Sequence, residues 1–252
     1  MTKNRAVFTH QLVPTNDELT RLKRIFAGHS LNRHAVNPEP TIKNLIFDLG
    51  AVLLNIDVPR AARALAELTG RDLAWVEGQI AAFELFSRYE TGQWTDAEFR
   101  NQVRTALEVS PRTPLTDEQI DAAWNALLLD FPPERIELLR RLKPQYRTFM
   151  LSNTSAIHFR QIERILRRDT GYPTLHDLFE KVYLSFEMKK LKPSPEIYEQ
   201  VLAENGLQPS ETLFFDDNLA NVNAAKQLGI RTVHIQETVT ILDYFPNAPV
   251  QP

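Results

Sequence analysis

The sequence predicts an α/β protein: a doubly wound parallel sheet of Rossmann-like kind carrying a small inserted helical cap. Three observations predict it. Short apolar runs each break off at a polar residue: Leu45-Ile46-Phe47 before Asp48, Phe149-Met150-Leu151 before Ser152, and Leu213-Phe214-Phe215 before Asp216 and Asp217. Apolar runs of about four to eight residues bounded by turn signals read as strands buried on both faces, as in a parallel sheet. From residue 134 onward, strand-like and helix-like segments alternate, which implies right-handed crossovers. Between the first run and that alternation lies a stretch with helical periodicity only. It is read as an insertion.

In chain order, residues 1–40 form an N-terminal extension. Asn16 is placed to cap a short helix carrying Leu19, Leu22 and Phe26 on one face, and Asn37-Pro38-Glu39-Pro40 reads as a linker. His10, His29 and His34 have no ligand-like spacing and are read as surface residues. The first strand runs from Ile42 to Phe47. Helical spacing then holds from about Ala61 to Leu142, with capping boxes at Thr95/Glu98 and Thr116/Gln119. Phe99, Val103 and Leu107, then Ile120, Trp124 and Leu127, recur at helical intervals. The core is therefore assigned to 41–57 and 134–252, and the cap to 58–133.

Beyond the cap, a helix with Ile136, Leu139 and Leu142 leads to a strand at Thr148–Leu151. A helix over Phe159–Leu166 and a loop lead to Lys181–Ser185. The Glu196–Glu204 helix precedes Thr212–Phe215, and a last helix from Ala220 to Leu228 stops at Gly229 before Arg231–Ile235.

The chain has 252 residues, 43% of them hydrophobic, enough for one large domain or a core plus a smaller one. A net charge of −3 gives no basic field for nucleic acid or an anionic membrane. No stretch approaches the roughly 20 apolar residues of a membrane span. Cysteine is absent, which excludes disulfides, thiolate catalysis and cysteine-ligated metals. A cytoplasmic location is expected.

In a doubly wound sheet, ligands bind beyond the carboxyl ends of the strands, where strand order reverses. Asp48, Ser152, Asp216 and Asp217 would all meet there. A carboxylate at position 48 can serve as a metal ligand, a nucleophile or both. Carboxylates converging without a cation repel and raise one another's pKa, and oxygen-only ligands favour Mg2+. Ser152 and Asn153 offer donors to an anion. Lys192, in Leu191-Lys192-Pro193-Ser194-Pro195, adds positive charge, and Ser194-Pro195-Glu196 opens a helix. Such a set suits phosphoryl transfer, which needs charge neutralisation and in-line positioning.

The chain resembles the haloacid dehalogenase-like hydrolase superfamily. Four motifs carry the resemblance: Ile46-Phe47-Asp48-Leu49-Gly50, Leu151-Ser152-Asn153, Lys192-Pro193-Ser194-Pro195-Glu196-Ile197-Tyr198, and Phe214-Phe215-Asp216-Asp217-Asn218-Leu219-Ala220-Asn221. With Glu90-Thr91-Gly92, they look most like the alpha-D-glucose-1-phosphate phosphatase group. The resemblance implies a magnesium-dependent phosphatase that takes a small phosphorylated substrate, such as a hexose 1-phosphate, through an aspartyl-phosphate. Asp48 would be the nucleophile and a metal ligand beside the Gly50 carbonyl. Ser152, Asn153 and Lys192 would hold the phosphoryl group. Asp217 aligns best with the direct metal ligand, Asp216 with its neighbour and Asn221 with an outer-sphere position. Lys189 and Lys190 leave the lysine assignment open, although the Lys-Pro pattern favours Lys192.

One departure concerns the leaving group. Many relatives carry a second Asp two residues after the nucleophile; this chain has Gly50 there. Either the leaving group needs little help, as an anomeric oxygen does, or water or a carboxylate such as Asp57 supplies the proton. Asp57 also reads as a cap for the helix beginning near Pro59. A metal-independent dehalogenase-type hydrolase and a catalytically weak phosphate-binding module are the alternative functions. Substrate choice is expected in the cap, where Phe86, Tyr89, Glu90 and Trp94 lie near a turn.

Overall fold

Five parallel strands form one sheet in the order β3-β2-β1-β4-β5 in a computed structural model that describes residues 41–112, 114–236 and 238–245. The expectations for residues 1–40, including the Asn16 helix and the three histidines, fall outside the described residues. The strands are β1 (Asn44–Phe47), β2 (Arg147–Ser152), β3 (Lys181–Leu184), β4 (Thr212–Asp216) and β5 (Arg231–His234). From the central β1 the chain builds outward through β2 and β3, then returns to add β4 and β5 on the other side. Strand order therefore reverses at β1.

The apolar runs are strands because both faces are covered. Leu45 and Phe47 of β1, Met150 of β2 and Phe215 of β4 belong to one core, whereas Ile46, Phe149, Leu151 and Phe214 belong to another. Successive strand side chains point to opposite faces, so an unbroken apolar run serves two cores at once. The first is completed by Ile136, Leu139 and Leu142 of one helix and Ile162, Ile165 and Leu166 of another. The second is completed by Ile197, Tyr198 and Val201. Phe47 stacks on Phe215 with ring centroids 4.9 Å apart, pinning β1 to β4. Burying such a ring is worth roughly 2–3 kcal/mol.

Helices α1 (Pro59–Thr69), α2 (Leu73–Ala82), α3 (Leu85–Glu90), α4 (Asp96–Ala106) and α5 (Asp117–Trp124) follow β1 and enclose a third apolar cluster. Both expected capping boxes form, at Thr95 and Thr116. Tyr89 and Phe99 stack at 4.1 Å in its centre, with Trp124 against Phe99 at 4.7 Å. No named strand occurs among the described residues of this stretch, but its two ends are zipped together. Asn55 N–H donates to Asp130 O at 2.9 Å, Leu129 N–H to Asn55 O at 3.0 Å, and Asp57 N–H to Leu127 O at 2.9 Å. Ile56 and Leu128 form an antiparallel bridge between them.

Helices α6 (Pro133–Leu142) and α7 (Ala156–Thr170) flank β2 in sequence; α7 runs well beyond the expected Phe159–Leu166 because Ser155 caps it early. A short α8 (Ser185–Met188) follows β3, and α9 (Pro195–Asn205) leads to β4. After β4 come α10 (Leu219–Gln227), which ends before Gly229, then β5 and a short α11 (Ile241–Tyr244). The insert is fastened to the sheet core along α7 and at α8, where Lys189 donates to Gly92 O. Ile157 joins the insert's apolar cluster, and its N–H donates to the Tyr89 hydroxyl at 3.3 Å. Among the described residues, no helix is long and apolar enough to cross a membrane.

Candidate active site

The strand register brings the expected residues together. Phe47 pairs with Phe215 of β4 and with Met150 of β2, so the next residues, Asp48, Asp216 and Leu151, sit side by side at the carboxyl edge. Asp48 N–H continues the ladder by donating to Phe215 O at 2.8 Å. The strand-order reversal between β2 and β4 opens the crevice at this point.

Lys192 ties the edge together. Its ammonium donates to Asp48 Oδ1 at 2.7 Å, Asp216 Oδ2 at 2.7 Å and Leu151 O at 2.9 Å. All three donors of the ammonium are thereby used, and the side chain is 1% exposed. Lys189 instead donates to Gly92 O at 2.9 Å and Lys190 to Gln200 Oε1 at 2.7 Å, so Lys192 is the one of the three that reaches the carboxylates. A cis bond joins Lys192 to Pro193. The Lys192 main chain is gripped by Asn153: Lys192 N–H donates to Asn153 Oδ1 and Asn153 Nδ2 donates to Lys192 O, each at 2.9 Å. The Asn153 carboxamide is therefore largely spent on holding the lysine loop.

Asp216 is fully buried and saturated. Beyond Lys192 it accepts from Asn218 N–H at 2.8 Å and from Asn221 Nδ2 at 3.0 and 3.1 Å. Asp217 sits exposed at the mouth, with its carbonyl held by His234 Nε2 at 2.8 Å. Carboxylate oxygens of Asp48, Asp216 and Asp217 all lie within 4.8 Å of one another. Gly50 O accepts from Val52 N–H at 2.7 Å, leaving a second lone pair. Ser152 is buried, its hydroxyl reaching, among the described residues, only Asn153 O at 3.4 Å.

Electrostatics follow from this crowding. Burial pushes the Asp48 carboxyl up to about 7; the Lys192 ammonium pulls against that and Asp216 adds to it. Burial works against the Lys192 charge, but Asp48 and Asp216 overcome it and hold its pKa above the usual value. Asp217 is raised as well, by partial burial and by Asp216. When all three carboxylates are ionised, one ammonium leaves two negative charges unbalanced, and the raised Asp48 and Asp217 carboxyls register their burial together with that repulsion. Only hard oxygen donors surround that excess, so the donor set suits a divalent cation such as magnesium or calcium.

A cavity of about 350 Å³ opens above the carboxylates, lined on the core side by Asp48, Ser152, Asn153, Lys192 and Asp217 and on the insert side by Phe86 and Glu90. Of the four insert residues expected near the site, Tyr89 is core, donating to Asp96 Oδ1 at 2.6 Å, and Trp94 lies outside this cavity. Asp57 does not line it either. Its side chain accepts from Arg63 at 3.4 Å, and the α1 N-terminus has no side-chain cap.

The sequence reading missed His158, which also lines the cavity; its Nε2–H donates to Trp124 O at 3.1 Å while its ring stacks on Trp124. Its position in the first turn of the helix after β2 was the available signal, since such residues face the carboxyl edge. Ser185 was missed too. Its buried hydroxyl donates to Thr154 O at 3.0 Å and accepts from Thr154 N–H at 2.9 Å, fixing the loop after β2.

Fold and site define a doubly wound α/β enzyme with an acidic, lysine-bridged centre at its switch point. Residues 42–229 match the haloacid dehalogenase-like hydrolase family, and the chain belongs to it. It is 30% identical over 191 residues to D-ribitol-5-phosphate phosphatase of Bacteroides thetaiotaomicron, covering 76% of this chain and 90% of the relative. It is 28% identical to a sesquiterpene phosphatase of Aspergillus oryzae over 79% of this chain and 92% of that one. A crystal structure of a HAD-family enzyme from B. thetaiotaomicron, in complex with magnesium and inorganic phosphate, superposes with TM-score 0.71 at 36% identity, covering 79% of this chain and 97% of that one.

Proposed function

We propose that this hydrolase is a magnesium-dependent phosphatase of small phosphomonoesters, in the first place sugar or sugar-alcohol phosphates, in the reducing cytoplasm that a cysteine-free chain suits. The observation that carries the reading is the excess of two negative charges where three carboxylates meet one buried lysine. A divalent cation bound there would neutralise that excess and the phosphoryl oxygens together. The solved magnesium and phosphate complex of a relative supports the choice of ion. Asp217 and Asp48 would hold it with the Gly50 carbonyl, while Asp216, saturated by Lys192 and Asn221, positions the lysine beside it.

In this reading the Asp48 carboxylate attacks phosphorus in line with the ester oxygen. Lys192 favours the ionised form of Asp48 against its burial and aims it, and Ser152 with the N–H groups of the loop after β2 binds phosphoryl oxygens. Water then cleaves the Asp48 acyl phosphate. Residues 58–133 act as the cap, excluding bulk water from the first step. A cavity of about 350 Å³ is of a size for one sugar phosphate.

Phosphate release from ribitol 5-phosphate, glucose 1-phosphate and a nucleotide panel, with and without chelator, tests the reading. Release that depends on added magnesium is expected, with an Asp48→Asn loss on the order of 10⁴-fold or more. Phosphate release that persists in chelator would overturn the magnesium dependence, and halide release from a 2-haloacid with no phosphate release from any ester would favour a dehalogenase-type hydrolase. Ranking glucose 1-phosphate above ribitol 5-phosphate would support a hexose 1-phosphate as the substrate.

A further inference from the structure

On the phosphatase reading, phosphoryl transfer to Asp48 expels an alkoxide unless the ester oxygen gains a proton as its bond to phosphorus breaks. Position 50 cannot supply it, and the space beside it is taken: a Cβ on Gly50 would lie 3.0 Å from Ile56 Cδ1. Asp57 is outside the cavity and paired with Arg63. The titratable groups that line the cavity are Asp48, Asp217, Lys192, His158 and Glu90. Asp48 is the nucleophile. Asp217 belongs to the carboxylate cluster, and every Lys192 N–H is engaged. His158 has committed its N–H to Trp124 O. Glu90 remains, at the end of α3, with no side-chain hydrogen bond or ion pair to any described residue.

We propose that Glu90, reaching into the cavity from the insert, is the general acid and base of this enzyme. In the first step Asp48 Oδ bonds to phosphorus, the ester P–O bond breaks, and the Glu90 carboxyl gives its proton to the departing oxygen, releasing an alcohol. In the second step the Glu90 carboxylate takes a proton from the water whose oxygen bonds to phosphorus. The bond from phosphorus to Asp48 breaks, inorganic phosphate leaves, and Glu90 is again protonated. Burial raises the Glu90 carboxyl to about 7, with Lys192 lowering it and Asp48 raising it, so both protonation states are accessible near neutrality.

The test compares p-nitrophenyl phosphate, whose leaving group departs without a proton, with ribitol 5-phosphate, whose alkoxide does not. In saturating magnesium, Glu90→Gln should lower kcat on the alditol phosphate by about 10²–10⁴-fold. With p-nitrophenyl phosphate it should keep a rapid stoichiometric burst of nitrophenolate, followed by slow turnover, because only the second step then lacks its base. A smaller variant, Glu90→Ala, should regain turnover when formate is added. A rise in KM alone, unchanged rates, or loss of the burst without formate rescue would overturn the assignment while leaving the phosphatase intact. If the unmodified enzyme releases phosphate from neither ester, the phosphatase reading falls and Glu90 with it.

Discussion

Lys192 is the side chain on which the centre depends. Its ammonium spends its three hydrogens on two carboxylates and one carbonyl, and arginine cannot imitate that compact charge with its wider planar fork. Removing one partner of a buried ion pair leaves an uncompensated charge and typically costs about 3–5 kcal/mol. Lys192→Met should therefore unfold in urea with a loss of that order, measured in chelator so that no cation substitutes for the ammonium. Added magnesium should recover part of the stability and none of the activity, since an ion held by the carboxylates does not replace the ammonium that aims Asp48. A loss below about 1 kcal/mol would show that Asp48 and Asp216 are already neutralised in the fold.

At the scale of elements, the loop after α3 sets where Glu90 points. Gly92 holds φ +60 there, and a Cβ on it would fall 2.3 Å from the Phe186 carbonyl oxygen at the start of α8. Gly70, at the end of α1, has a similar φ of +64 but nothing within 4 Å of the same position. Alanine at either site forces a non-glycine residue into the left-handed region, at about 1–3 kcal/mol. Only at Gly92 must the loop also move off α8. Gly92→Ala should lower kcat/KM by about 10²-fold, the usual consequence of shifting a positioned group by an ångström, whereas Gly70→Ala should leave activity near normal. Equal activity in the two variants would detach the loop from catalysis. The contrast also shows what the sequence discloses. The strands, both capping boxes and the insert's helices were legible because they follow from periodicity and local chemistry. The meeting of Asp48 and Asp216 was legible because a parallel sheet aligns its carboxyl ends, whereas Lys192, on a loop, was placed beside them only by the family resemblance of its Lys-Pro motif. The grip of Asn153 on the Lys192 main chain and the place of His158 against Trp124 were not legible, because each is decided by a partner more than thirty residues away, while the Asp57 side chain turns from the expected cap to the nearby Arg63.

Over the whole molecule, one seam between the insert and the sheet core runs along α7, and His158 is buried in it. It is 4% exposed, stacked on Trp124 of α5 and bonded to that residue's carbonyl. Burial lowers its pKa from 6.5 to about 4, the Trp124 hydrogen bond opposing only in part. Between those values the unfolded chain carries the proton and the folded one does not, so this group makes stability rise with pH across the window and fall as acid is added. The shift corresponds to about 3 kcal/mol lost between pH 6.5 and 4. Asp48 and Glu90, both raised to about 7 by burial, act in the opposite sense, because the folded state holds their protons more tightly over the same range. The slope for the intact protein is thus a difference of opposed contributions and does not isolate the histidine. Subtracting the stability of His158→Gln, which keeps an N–H for Trp124 O but cannot titrate, removes the shared carboxylate contributions. The free energy of unfolding by urea, taken for both proteins at steps from pH 7.5 to 4, should give a difference that is flat above 6.5. Below that pH it should move by about 3 kcal/mol in favour of the glutamine variant. A difference that stays flat throughout would mean that the seam admits the imidazolium, and that the insert is held to the core by Ile157 and Tyr89 without help from a neutral ring.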